Sequence, residues 1–190
     1  MRGEKSRPAI FPGKRTTDRL APVLLSCAAM TAQTGGGLLP ATDISAAEVR
    51  ATVERAVATK TTDIRIRTVD AGGHHVGVGV VHRPKGTKLA GGVFHDKVTE
   101  VYHVLEGSGT LVTGGTLINP QRREQTNDTV VQINGPGVSV TAIQGGVSRR
   151  ISKGDVVIIP AGTPHWFPEI QESITYTVVR VDPSRVVTLK

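Results

Sequence analysis

Apolar and polar positions alternate with period two through most of the chain after residue 60, the pattern of half-buried strands. Asp63-Ile64-Arg65-Ile66-Arg67-Thr68-Val69 alternates, Asp70-Ala71-Gly72-Gly73 supplies turn chemistry, and Val76-Gly77-Val78-Gly79-Val80-Val81 alternates again, which predicts a β-hairpin. Gly77 and Gly79 share one face of its second strand and imply a close neighbour there, either another sheet or a partner subunit. His74 and His75 fall at the turn end, where an exposed imidazole is the ordinary expectation.

A second hairpin is expected from Glu100-Val101-Tyr102-His103-Val104-Leu105 and Thr110-Leu111-Val112-Thr113, with Gly107-Ser108-Gly109 as its turn. Because side chains two apart share a face, Glu100, Tyr102 and Val104 point one way and Val101, His103 and Leu105 the other. Residues 116–128, broken by Asn119-Pro120 and polar from Gln121 to Gln125, read as a long loop and a candidate lid. Residues 129–133, 138–141, 147–151, 156–159 and 173–181 read as further short strands. A single helix is predicted from Ser45, where Ser45-Ala46-Ala47-Glu48 has the form of a capping box and Val49, Val53 and Val57 make an apolar stripe. Many short strands with Gly/Pro turns and one helix imply an all-β sandwich or barrel.

At 190 residues, 38% of them apolar, the chain can bury one substantial core. The formal charge of +7 suggests nucleic acid at first sight, but four of those seven net positive charges lie in residues 1–19. With only six of Phe, Trp and Tyr in the chain and no basic run interleaved with aromatics, nucleic acid is not an expected partner. The basic residues Arg2, Lys5, Arg7, Lys14, Arg15 and Arg19 precede a short apolar run, 20–30, that reads as a secretory signal and predicts a periplasmic or secreted protein. Leu24-Leu25-Ser26-Cys27 also resembles a lipoprotein box; a basic leader on a cytoplasmic protein is the alternative. Residues 1–37 are therefore expected to be a leader and 38–190 the folded domain, with no membrane span because the apolar run is too short. Cys27 is the single cysteine, so neither an intramolecular disulfide nor a cysteine-based zinc site is expected.

Two stretches carry candidate chemistry. The first runs from Phe94-His95 through Glu100 to Gly107; the second is Gly154-Asp155-Val156-Val157-Ile158-Ile159-Pro160-Ala161-Gly162-Thr163-Pro164-His165. Together they resemble the paired motifs of the cupin superfamily, G-x5-H-x-H-x3,4-E-x6-G and G-x5-P-x-G-x2-H-x3-N. His95, Glu100 and Gly107 fall on the first pattern, and Gly154, Pro160, Gly162 and His165 on the second. Val93 stands where the first histidine would be, and Glu169 replaces the final Asn.

The resemblance implies a small jelly roll, or double-stranded β-helix barrel, of the RmlC-like kind, and a homodimer. It maps His95, Glu100 and His165 onto three of the four metal ligands of cupins. Two imidazoles and one carboxylate suit a divalent transition metal, Fe, Mn, Zn, Ni or Cu, and leave positions open for water or a small oxygenated ligand. Tyr102, on the face of Glu100, is the candidate catalytic side chain, whereas alternation turns His103 away from the site. Trp166 and Phe167 are candidates for an apolar wall, and at most one of Arg149 and Arg150 can point inward. The expected function is that of a metal-dependent enzyme of dioxygenase or isomerase type on a small oxygenated molecule; a non-catalytic cupin that captures a small ligand is the alternative.

Overall fold

The computed structural model describes residues 39–190; the signal-like segment and Cys27 lie outside the described residues. Helix α1, Ala46–Thr59, opens with the predicted capping box: the Glu48 N–H donates to the Ser45 hydroxyl, and the Glu48 carboxylate accepts from the Ser45 N–H. The helix is rotated from the valine stripe. Thr52 and Ala56 are its buried residues, while Val57 is 52% exposed. A three-valine stripe at strict spacing of four drifts around the helix, so its last member leaves the contact with the sheet.

Strands β1, Asp63–Asp70, and β2, His75–Arg83, form the expected antiparallel hairpin. Gly77 and Gly79 do meet close neighbours, but within the same sheet: a Cβ on Gly79 would stand 2.9 Å from the Ile64 carbonyl oxygen and 3.5 Å from Arg180 Nη1, and one on Gly77 3.2 Å from the Thr68 hydroxyl. His75 is buried rather than exposed, because the C-terminal segment folds back over it and its Nδ1 lies 2.7 Å from the Val187 carbonyl.

After β3, Gly92–His95, the largest departure from expectation appears. Residues predicted as two strands and a turn form one strand, β4, Thr99–Thr113. Its first half pairs with the last strand, and its second half, Ser108 to Thr113, pairs with residues 147–152. The change of partner is made at Gly107, whose φ of 73° and whose Cβ position, 1.6 Å from the Ser173 carbonyl oxygen, admit only glycine. Gly-Ser-Gly here is a bend that carries one strand around the corner of a barrel, and local turn chemistry cannot distinguish the two outcomes.

The insert is more structured than a loop. It holds two short strands, β5, Thr116–Ile118, and β6, Gln121–Arg122, and residues predicted as a strand form a π-helical turn at Val130–Asn134. That turn is entered through Asn127, whose side chain accepts from the Thr129 N–H as its carbonyl accepts from Val131. The remaining strands are β7, Gly137–Val140; β8, Ala142–Gln144; β9, Val147–Ser152; β10, Val156–Ile159; β11, His165–Trp166; and β12, Ile174–Asp182.

These strands make one curled antiparallel sheet in the order β1-β2-β12-β4-β11-β3-β7-β6, with β9 and β10 also on β4 and with β5-β8 as a separate pair. The fold is thus all-β with one short helix, as the sequence predicts. The sheet encloses Tyr102, Val104, Leu111, Ile151, Val157, Ile159, Phe167, Ile174, Tyr176 and Val178. Phe167 belongs to that core, and Trp166 packs on a second cluster of Val138, Val140 and Ile143. Among the described residues no helix is long and apolar enough to cross a membrane.

Gly107→Ala is expected to cost about 2–4 kcal/mol, since both its left-handed backbone and the Ser173 carbonyl must yield. Urea unfolding measures this; a loss below about 0.5 kcal/mol would show that the bend does not depend on glycine.

Candidate metal centre

Three strands bring the first motif and the second together. His95 ends β3, Glu100 lies near the start of β4, and His165 opens β11, which is held between β3 and β4 with His165 opposite both Val93 and Thr113. The bend before β11 is fastened to the first motif, because the Gly162 N–H donates to the His95 carbonyl at 2.7 Å and the Ala161 N–H to the Thr99 hydroxyl at 3.2 Å. Gly162 has a φ of 78°, so the glycine of the second motif supplies the backbone conformation that turns His165 inward.

His95, Glu100 and His165 are 3%, 2% and 6% exposed, and each offers one donor atom within 4.8 Å of the others. Glu100 Oε2 is the centre: His165 Nε2 lies 3.3 Å from it, His95 Nε2 3.6 Å, and the Tyr102 hydroxyl donates to it at 2.8 Å. Alternation along β4 holds, since Glu100, Tyr102 and Val104 are buried and His103 is exposed. Val93 shares the strand face of His95 by the same rule, so an apolar side chain occupies the position of the missing histidine. Glu169 is exposed, as are Arg149 and Arg150, the latter paired at the surface with Glu172.

Sequence reasoning missed two arginines and an aspartate. Arg180, on β12 and 6% exposed, donates through Nε to Glu100 Oε1 at 2.8 Å and through Nη2 to Asp63 Oδ2 at 2.6 Å. It lies against Gly77 and Gly79 of the neighbouring strand, so the glycines of β2 were the available signal. Arg123, in the insert after β6, lies with Nη2 3.0 Å from His95 Nδ1 and donates to the Gly135 carbonyl at 3.1 Å. A basic residue in a polar loop carries no signal of this kind.

The electrostatics follow from burial and these partners. Burial by itself would raise the Glu100 pKa, but the Arg180 guanidinium and then the His95 imidazole overcome it and hold the carboxyl well below its usual range. Burial, followed by the Glu100 charge, pushes the Tyr102 phenol well above its usual value, so Tyr102 is a proton-bearing donor at neutral pH. Burial also dominates at His95, lowering its pKa and favouring a neutral ring. Arg180 stays charged despite its burial because Asp63 and Glu100 share it. One guanidinium against two carboxylates leaves the trio with a net negative charge facing the histidines.

The donor chemistry at His165 fits a bound cation. Its Nδ1 faces the Thr163 carbonyl at 3.1 Å; a carbonyl only accepts, so Nδ1 carries the proton. In the neutral ring the Nε2 lone pair then faces the Glu100 oxygen, a pair of acceptors that a metal ion would reconcile.

No protein-family model matches the chain, and no curated protein matches it. Solved structures do. A Cupin 2 conserved barrel domain protein from Salinispora arenicola is similar at 15% identity, a TM-score of 0.40, and coverage of 65% of this chain and 77% of its own. The BH2720 protein of Bacillus halodurans is similar at 16% identity and a TM-score of 0.43, over 79% of this chain and 89% of that one. The DMSP lyase DddQ from Ruegeria pomeroyi is similar at 18% identity and a TM-score of 0.40, over 73% and 64% of the two chains. The fold and the site together define a curled, all-β antiparallel sheet with a buried His-Glu-His cluster. The structural similarities concern fold and assign no residue a role.

Acid should destabilise the protein in two stages. The unfolded chain protonates its carboxyl and imidazole in their ordinary ranges, whereas the folded chain resists both, so stability is present above those ranges and lost as pH falls through the depressed folded values. Urea midpoints are expected to fall between about pH 7 and about pH 3. Glu100→Gln should flatten the lower stage and His95→Gln the upper; profiles for both variants parallel to wild type would contradict these assignments.

Proposed function

We propose that His95, Glu100 and His165 hold a divalent transition metal and that the protein acts on a small oxygenated molecule at that centre. The observation that carries this reading is the convergence of two imidazole nitrogens and one anionic carboxylate oxygen in a buried cluster, with His165 Nε2 facing the Glu100 oxygen at 3.3 Å. Bound there, a metal would supply Lewis-acid or oxygen-activating chemistry.

The chain's own residues have separable tasks in this reading. Arg180, anchored by Asp63, fixes the Glu100 carboxylate through Oε1 and leaves Oε2 facing the two histidines. Thr163 orients the His165 ring. Tyr102 keeps its proton and can offer it as a hydrogen bond either to Glu100 or to an oxygen of the ligand, which makes it a binding and orienting donor rather than a base. Burial of all four side chains excludes bulk water from the reacting group. A second reading, capture of a small ligand without turnover, is favoured by that same closure, because no site side chain is more than 6% exposed.

Metal analysis of protein purified without an affinity tag tests the first step. His95→Ala, Glu100→Ala and His165→Ala are each expected to weaken metal binding by more than about 100-fold, beyond what loss of an outer partner usually causes. Tyr102→Phe should keep the metal while slowing turnover on any substrate found in a screen of diols, hydroxy acids and phenolics under air. Full metal content in all three alanine variants would overturn the metal centre; tight binding across the screen with no product would leave the capture reading in place of the enzyme.

A further inference from the structure

The two histidines of the cluster are held in opposite hydrogen-bond polarity. Thr163 accepts from His165 Nδ1, which leaves Nε2 to face the Glu100 oxygen. Arg123 reverses this at His95. A guanidinium has donors and no acceptor, so His95 Nδ1, 3.0 Å from Arg123 Nη2, must accept, and the ring proton sits on Nε2 facing Glu100 Oε2. A ligand nitrogen needs its lone pair where that proton is.

Resting on the metal reading above, we propose that Arg123 is a positioning residue that locks His95 in the tautomer unable to bind metal, and that withdrawal of the β6 segment is the step that admits the ion. For His95 Nε2 to hold a metal, the ring proton would have to sit on Nδ1, opposite a guanidinium that can only donate, and the two could not then remain at 3.0 Å.

The surroundings suit a residue that moves. Arg123 follows a two-residue strand at the edge of the sheet, paired only with β7, where local opening is least costly. Its side chain is half-buried, and its Nε is buried without a partner among the described residues, so the guanidinium is held by one face. Gly137 leaves the space it fills: a Cβ there would lie 2.7 Å from Arg123 Nη2. The three cluster residues are at most 6% exposed, so entry requires some element to open, and Arg123 is the charged side chain of the insert in contact with a cluster member. The insert is then a lid, but one that acts on a ligand's proton as well as on access.

The test compares wild type, Arg123→Gln and Arg123→Met with Arg122→Gln, which removes a charge next door that pairs with Asp96 and does not touch His95. Chelator-stripped full-length protein is titrated with Zn2+ alone by calorimetry, and the His95 tautomer in the stripped protein is read from imidazole nitrogen shifts. Expected are an Nε2-protonated His95 in wild type and Arg122→Gln, a measurable Nδ1-protonated fraction in both Arg123 variants, where only the Glu100 carboxylate still favours the Nε2 proton, and Zn2+ binding at least about 10-fold tighter in those two, the range by which outer partners tune metal affinity. Simple charge removal would tighten binding without moving the proton, and that result overturns the proposal, as does an Nδ1-protonated His95 in wild type. Wild type that binds Zn2+ as tightly as both Arg123 variants overturns the lock and leaves the metal centre standing. Absence of binding in all four proteins overturns the metal reading and the lock with it.

Discussion

The interaction on which the rest depends is the buried ion pair between Glu100 and Arg180. A carboxylate 2% exposed is tolerable only if its charge and lone pairs are met, and Arg180 meets one oxygen while Tyr102 meets the other. Arg180 in turn needs Asp63 and the space above Gly79, so the pair recruits β1, β2, β4 and β12 into one arrangement. Such a pair contributes little net stability compared with apolar packing, yet removing one partner leaves an unpaired buried charge, which typically costs about 3–5 kcal/mol. The sheet is therefore specified in its register by a polar contact at its centre as much as by the valines and isoleucines around it.

A second constraint is the continuity of β4. One strand carries Glu100 and Tyr102 on one wall of the barrel and reaches the opposite wall, where its far end pairs with β11 beside His165. The bend at Gly107 fixes how those walls meet. The hydrogen bond from Gly162 to the His95 carbonyl closes the other side. The cluster is thus held by backbone geometry on three sides, and its side chains need little further adjustment to face one another.

Much of this was legible in the chain because it rests on local rules. Period-two alternation separated Glu100 and Tyr102 from His103, the capping box placed the helix start, and two spaced motifs brought out His95, Glu100 and His165. What escaped rests on long-range pairing. Gly107-Ser108-Gly109 is equally good as a turn and as a barrel corner, and only the partners of β4 decide. Arg180 lies eighty residues from Glu100 and ordinary strand alternation gave it no distinction. The valines of 129–133 favour a strand, but Asn127 captures the backbone there and starts a tight helical turn.

The clamp between Gly162 and His95 has a consequence for how such a chain can change. Because the two motif segments fasten directly to each other, part of the stretch between them is not needed to hold the three side chains together. Residues 137–140, paired with β3 opposite His95, belong to that framework; the exposed segment 124–129 does not, and it is free to lengthen or shorten in the way that surface connections tolerate insertion. Arg123 borders that segment and reaches back to His95 Nδ1. A change in chain length is therefore absorbed beside the cluster, at a segment one residue away from a side chain that touches it, while the cluster itself is left standing.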